Sequence, residues 1–180
     1  MRSFCSKYVA LLFLLLSALF ATITGGCVSA PQEVKNLTFE TVLGSEGSQV
    51  YFDTSRPPIG PAVITNKTEW EYFGPYSKPP NTPLPIIDFK DEFIIGYTVL
   101  VVGYARFVTI LNVTQSAGVI NITLATYRWP GVQTTPEQID RYPHHFVRIK
   151  KSELLQKGNL TFMFTDISGE PLGNVTRFIP

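Results

Sequence analysis

Past Cys27 the chain has no cysteine; Cys5 and Cys27 are the only two in 180 residues. The segment that follows therefore holds no internal disulfide, no thiolate metal site and no cysteine nucleophile, and must fold on its hydrophobic core. Histidine is equally scarce, with only His144 and His145. Neighbours on a strand point to opposite faces, so the pair cannot readily share one metal ion, and no spaced carboxylate cluster completes a ligand set. The expectation is one histidine at the surface, one packed on a sheet, and no metal. Charge is thin as well, at 16% of residues. Setting aside Arg2 and Lys7 near the N terminus leaves 13 basic against 14 acidic residues, about −1 in all. A nucleic-acid partner would want a basic face, so none is expected.

Signatures of catalysis are missing too. GSEGS, residues 44 to 48, has the wrong order for a G-x-S-x-G nucleophile turn, and there is no Gly-rich phosphate loop. Asp88, Asp91 and Glu92 lie close enough in sequence to raise a carboxylate pair for glycoside hydrolysis. Asp91 and Glu92 read better as charges flanking a strand, and Asp88 as a turn cap. The chain is expected to be no enzyme and to carry no cofactor.

What is present begins with an export signal. Arg2 and Lys7 form a short positive leader, and VALLFLLLSALFATI, residues 9 to 23, is an apolar run of signal-peptide length. Thr24-Gly25-Gly26 then precede Cys27, an arrangement that resembles a prokaryotic lipobox, whose cysteine becomes the lipidated first residue of the mature protein. Thr24 departs from the leucine such motifs prefer. The rival is a retained helix, because no charge appears in the 25 residues between Lys7 and Glu33 and about 20 apolar residues cross a bilayer. Both readings export the remaining 153 residues, enough for one domain, and attach them to a membrane. Cys5 lies inside the leader.

Asparagine supplies a second sign of export. The chain has seven, and six head an N-x-T triplet: Asn36, Asn66, Asn112, Asn121, Asn159 and Asn174; only Asn81 does not. Such triplets are N-glycosylation acceptors in an exported chain. Polar residues two apart also mark the solvent face of a strand, which accounts for part of the excess. It does not account for threonine at every third position and serine at none. Together with the cysteine, the triplets suggest a cell-surface protein of archaeal type.

Residues 28 to 36 are small and polar and read as a tether. Leu37 to Leu43 and Gln49 to Asp53 read as strands around a GSEG turn, and Ala62 to Thr65 as a short one. A helix over KTEWEYF follows, with Thr65 or Asn66 as N-cap, Glu69 completing the cap, and Trp70 and Phe73 buried. Residues 74 to 85 hold five prolines and must be an extended loop. EFIIGYTVLVV, 92 to 102, reads as one central strand buried on both faces. Phe107 to Thr114 and Val119 to Tyr127 form a hairpin around residues 115 to 118. Its first strand would turn Phe107, Leu111 and Val113 inward and Asn112 and Thr114 outward; its second would turn Ile120, Ile122 and Leu124 inward. Phe146 to Lys150 and Leu160 to Thr165 add two strands, the latter with Leu160, Phe162 and Phe164 inward. The class is mainly β with one short helix, a single compact antiparallel sandwich or open barrel spanning 37 to 180.

ITNKTEWEYF at 64 to 73, LPIIDF at 84 to 89, FIIGYTVLVVGY at 93 to 104, the hairpin, and YPHHFVRIKK at 142 to 151 together resemble PrcB, the protease-complex-subunit family, over about 64 to 151. Where that family has a GGY-type turn this chain has Val102-Gly103-Tyr104. The resemblance implies an exported, often lipid-anchored, non-catalytic protein that accompanies a surface protease. Two proline-aromatic loops, residues 73 to 80 and 127 to 138, read as an interaction patch. Tyr127, Arg128, Trp129 and Val132, with Tyr76 from the other loop, are the expected partner contacts; alternatively the aromatics only cover the ends of the fold. Arg128-Trp129-Pro130 also resembles a loop of chagasin-type protease inhibitors, without their other loop signature. The function expected is a surface binding module, with inhibitor as the alternative and a sugar-binding or hydrolytic domain a distant third.

Overall fold

The structure, a computed structural model, describes residues 32–44, 58–73, 83–102, 106–128 and 140–180. The expected leader with Cys27, the GSEG turn, the strand at Gln49 to Asp53 and most of the 74–85 loop lie outside these residues. All the elements named below belong to the unit Glu33–Pro180. They are β1 Val34–Asn36, β2 Glu40–Gly44, β3 Gly60–Ile64, helix α1 Lys67–Phe73, β4 Glu92–Thr98 and β5 Val101–Val102. The second half adds β6 Arg106–Ser116, β7 Val119–Arg128, β8 Asp140–Arg141, β9 His144–Lys150, β10 Gly158–Asp166 and β11 Pro171–Ile179.

The strands form a mainly antiparallel β-sandwich without barrel closure. One sheet has five strands in the order β1-β6-β7-β10-β11, the other four in the order β2-β9-β4-β3, and β5 pairs with β8. Among the described residues only β7 and β10 pair in parallel, Thr161 facing Val119 and Asp166 facing Leu124. The main core lies between the sheets and includes Phe93, Ile95, Val113, Ile120, Ile122, Leu124, Val147, Leu160, Phe162 and Phe164. At one lateral border Gly173 (φ +131°) lets β11 approach Pro61 of β3.

The four-stranded sheet is apolar on both faces, which is why EFIIGYT lacks alternation. Phe93 and Ile95 enter the main core, while Ile94 joins a second cluster with Ala62, Ile64, Trp70 and Phe146. Helix α1 and Leu84, Ile87 and Phe89 cover that second face. The helix starts as its sequence demands. Asn66 Oδ1 accepts the Glu69 N–H (2.9 Å), and Glu69 Oε2 accepts the Thr65 N–H (3.1 Å). Trp70 Nε1 donates to the Pro85 carbonyl (3.1 Å) and so ties helix to loop. Asp88 caps its turn, accepting the Lys90 N–H on Oδ1 (3.0 Å).

Several strand expectations need correction. Leu37 to Leu43 is not one strand: β1 and β2 belong to different sheets, and buried Leu37 sits in the crossing, its N–H on the Val113 carbonyl (2.9 Å). The tether cannot extend to residue 36, because Val34–Asn36 pair with Thr114–Ser116. The single strand 92–102 breaks at Val99 and Leu100, whose neighbours join different sheets. Phe107 and Leu111 do not turn inward together with Val113. A bulge between Ile110 and Asn112 shifts the phase, so Val108 and Ile110 are buried before it, Val113 and Gln115 after it, and Leu111 is 46% exposed. β11 and the parallel pairing were not anticipated; Phe178 breaks the apolar alternation by facing solvent.

Gly96 has a steric reason. Its partner on β9 is Phe146, and a Cβ on Gly96 would overlap that ring. Trp70 and Phe73 meet the same ring edge-on, with centroids at 5.9 and 6.1 Å. Gly96→Ala should cost about 1–3 kcal/mol by overpacking, where a glycine-to-alanine change in an unobstructed strand would gain stability. Urea denaturation checks this. The cost should shrink in a Phe146→Leu background, and an unchanged midpoint for the single variant would contradict the packing described.

Candidate functional site

The outer face of the five-stranded sheet is mostly polar, interrupted by Leu111, Met163 and Phe178, because the inner face takes most of the apolar alternation. Every strand of this sheet carries one N-x-T asparagine: Asn36 on β1, Asn112 on β6, Asn121 on β7, Asn159 on β10 and Asn174 on β11. All five are exposed. Pairing places Asn36, Thr114, Asn121, Met163 and Asn174 in one row across all five strands. Acceptors in that row are two strands apart, about 10 Å. Asn112 faces Thr123 and Asn159 faces Phe178, so no acceptor lies directly opposite another. The third-position threonines 114, 123, 161 and 176 share this face, and the Thr161 and Thr176 hydroxyls approach to 3.3 Å.

Asn66 is different. It sits outside the sheets and its side chain caps α1. Among the described residues, the four-stranded sheet has no asparagine in its strands. None of the five asparagine amides of the other sheet is held by a hydrogen bond within the described structure.

Toward the other end of the β6–β7 ribbon the same face becomes aromatic. Phe107 lies opposite Tyr127, and Tyr127 is half exposed. Of the expected partner contacts only Tyr127 is fully described. The Arg128 backbone ends β7, while its side chain, Trp129, Val132 and Tyr76 lie outside the described residues.

The histidines correct an expectation: both are buried. They do face opposite ways. His144 stacks at a tilt on Phe146 in the outer cluster, with Nδ1 3.0 Å from the Tyr142 carbonyl. His145 enters the sandwich, where its Nδ1 receives the Ile110 N–H at 2.8 Å. A backbone N–H can only donate, so Nδ1 is unprotonated and the ring proton sits on Nε2, which meets Thr41 Oγ1 at 2.9 Å. The ring thus closes the stretch of the β6 edge that three-residue β1 leaves uncovered. No sequence pattern marks this role, because it depends on the bulge at Leu111.

Burial raises the Tyr97 hydroxyl, the hydrogen bond to Glu40 raises Arg148, and the Ser168 hydroxyl and nearby backbone N–H groups lower Asp166. Each moves away from neutrality. Glu92, at the start of β4, is an ion-pair partner of Arg148 at 3.8 Å, alongside Glu40 at 2.7 Å. Among the described residues no group of three His, Cys, Asp or Glu side chains could hold a metal ion, and no helix is long and apolar enough to cross a membrane. Comparison with family models, curated proteins and solved structures finds no match to this chain.

His145→Leu should destabilise the domain by about 1–3 kcal/mol, since it strands the Ile110 N–H away from water. Hydrogen exchange provides the local readout. The Ile110 amide should lose more protection than those of Ile122 and Leu124, and equal losses at all three would show that the bond does not hold the bulge.

Proposed function

We propose that the chain is a non-catalytic module held on the extracytoplasmic side of a membrane by its N-terminal segment, through lipid on Cys27 or a retained helix, and that it binds a protein partner there. The partner class that fits the PrcB resemblance is a surface protease. The observation that carries the binding reading is the polarity of the β6–β7 ribbon along its length. Val34 pairs with Ser116, so the chain enters the sheet at the end carrying the Ala117-Gly118 turn. Phe107 and Tyr127 lie at the opposite end. Nine residues separate Ser116 from Phe107, which makes the distance about 30 Å. A domain tethered at one end therefore offers Tyr127, one of its exposed aromatic residues, at the other.

The pieces that carry the PrcB resemblance also meet in the fold. ITNKTEWEYF, LPIIDF, FIIGYT and the HHF of YPHHFVRIKK supply Ile64, Trp70, Phe73, Leu84, Ile87, Phe89, Ile94 and Phe146, the larger part of one cluster on the outer face of the four-stranded sheet. Segments scattered over the chain that converge on one packed layer behave as a structural unit. Trp129 stands two residues beyond Tyr127 in the sequence. A large aromatic fixed beside a proline loses little entropy on binding.

Cross-linking and pull-down from native membranes, with the partner read by mass spectrometry, tests the reading. Trp129→Ala and Tyr127→Ala should each weaken the captured complex, Trp129 by at least about 2 kcal/mol, while leaving the melting temperature nearly unchanged. A large loss of folding stability with capture untouched would make these residues lids on the core. Cys27→Ser should block maturation and release of the leader. A Cys27→Ser protein indistinguishable from wild type in mass and membrane fraction would instead favour the retained helix.

A further inference from the structure

We propose that the outer face of the five-stranded sheet is a modification site: a glycan face bearing one N-linked sugar chain on each strand, at Asn36, Asn112, Asn121, Asn159 and Asn174, added before the sheet closes. The inference rests on the exported location proposed above, because the donor and transferase for such sugars work at the exported side of a membrane.

The distribution is the first argument. Five triplets scattered over about 140 residues of chain converge on one face, one per strand, while the strands of the four-stranded sheet have none. A face that needed only polarity could use threonine, lysine or glutamine. Asparagine is among the residues depleted in strands, so it is disfavoured at each of these positions unless its amide is used. Within the described structure the amides are not used: none of the five is held by a hydrogen bond, whereas Asn66, which caps α1, is. The threonines complete the argument, since a transferase reads both residues of the triplet and Thr114, Thr123, Thr161 and Thr176 emerge beside their asparagines. The spacing also suits bulky substituents. No acceptor is directly opposite another, and those in the common row alternate with Thr114 and Met163.

In the transfer, asparagine Nδ2 takes C1 of the first sugar of a polyprenyl-phosphate-linked oligosaccharide. The C1–N bond forms as the bond from C1 to the phosphate oxygen breaks. The polyprenyl phosphate leaves with the bonding pair, and the amide nitrogen gives one proton to a base on the transferase. The backbone at Asn121 fixes the order of events. Asn121 is paired with Thr114 on one side and Met163 on the other, so a folded sheet leaves no free strand edge there for an enzyme to grip. Sugar at Asn121 therefore requires transfer to the open chain.

The test uses the full chain from native membranes, analysed by glycopeptide mass spectrometry. Sugar on Asn121 and on at least two others of the five is the expected result. Asn121 bare, fewer sites occupied, or sugar confined to Asn66 overturns the proposal. Thr123→Ser should keep the Asn121 sugar and Thr123→Val should remove it with the asparagine still in place; equal glycan mass in both variants overturns it. Unmodified protein made in a cytosol lacking the transferase gives a control independent of the host. There Asn121→Thr and Asn174→Thr should hold or raise the melting temperature, and a marked fall would assign the amides a structural role instead. Fractionation of the same native sample separates the two readings. An exported chain without these sugars removes this inference and leaves the function proposed above, whereas a chain that stays in the cytosol removes both.

Discussion

One buried hydrogen bond, from the Ile110 N–H to His145 Nδ1, stands where β6 changes phase in the five-stranded sheet. It crosses from β6 to β9, and so from one sheet to the other, at the place where β6 bulges. Before the bulge the even positions Val108 and Ile110 point into the core; after it the odd positions Val113 and Gln115 do. A one-residue slip exchanges the faces of a strand. Were Leu111 taken up in regular alternation with no bulge, Asn112 and Thr114 would be driven into the core and Val113 into solvent. The outward place of Asn112 and Thr114 thus depends on a bulge, and His145 from the opposite sheet meets the strand at that bulge. Gln115 secures the far side of the same segment, its amide donating to the Ala117 and Gln156 carbonyls while its Oε1 accepts the Leu155 N–H.

Where strand and helix rules act locally, they were readable. β7 and β10 alternate without interruption, so Ile120, Ile122, Leu124, Leu160, Phe162 and Phe164 could be placed inward from sequence alone, and all are buried. The α1 cap is written in four consecutive residues, from Asn66 through Glu69. What could not be read is non-local. Leu111 looks like an inward residue of an unbroken strand; only the Ile110–His145 contact, 35 positions apart, gives it a reason to stand out. Leu37-Thr38-Phe39 has strand-like composition, yet it is the crossing between sheets. β11 was hidden because Phe178 faces solvent and Val175 only half closes the core. The asparagines were individually visible as triplets, but their gathering on one face required the parallel β7–β10 pairing, which no local pattern specifies.

The two sheets divide the demands on the chain. The four-stranded sheet has an apolar cluster on each face, so it needs a cover, and it takes Trp70, Phe73, Leu84, Ile87 and Phe89 for that purpose. Phe146 lies so close to β4 that only glycine fits beneath it at position 96. The five-stranded sheet needs one apolar face. Its outward positions are therefore free of packing duty, and their composition reports something other than folding. That is why an asparagine on this face carries more weight than one in a loop, where turn geometry alone would explain it.

The same freedom gives meaning to the exposed Tyr127. On a face rich in asparagine and threonine that also carries Met163 and Phe178, Phe107 and Tyr127 stand together at the end away from Val34. Burial cannot be what retains Tyr127, which is half exposed while carrying a ring large enough to favour a core. Sugars on Asn121 would start six residues down β7 from it, about 20 Å. Asn112, opposite Thr123, lies between them. A glycan face with an aromatic end would direct a protein partner by exclusion as well as by attraction: bulky sugars close the broad side of the sheet, and the ring marks the edge left open. Affinity would then come from a few aromatic contacts at that end, and selectivity from the surface on which docking is denied.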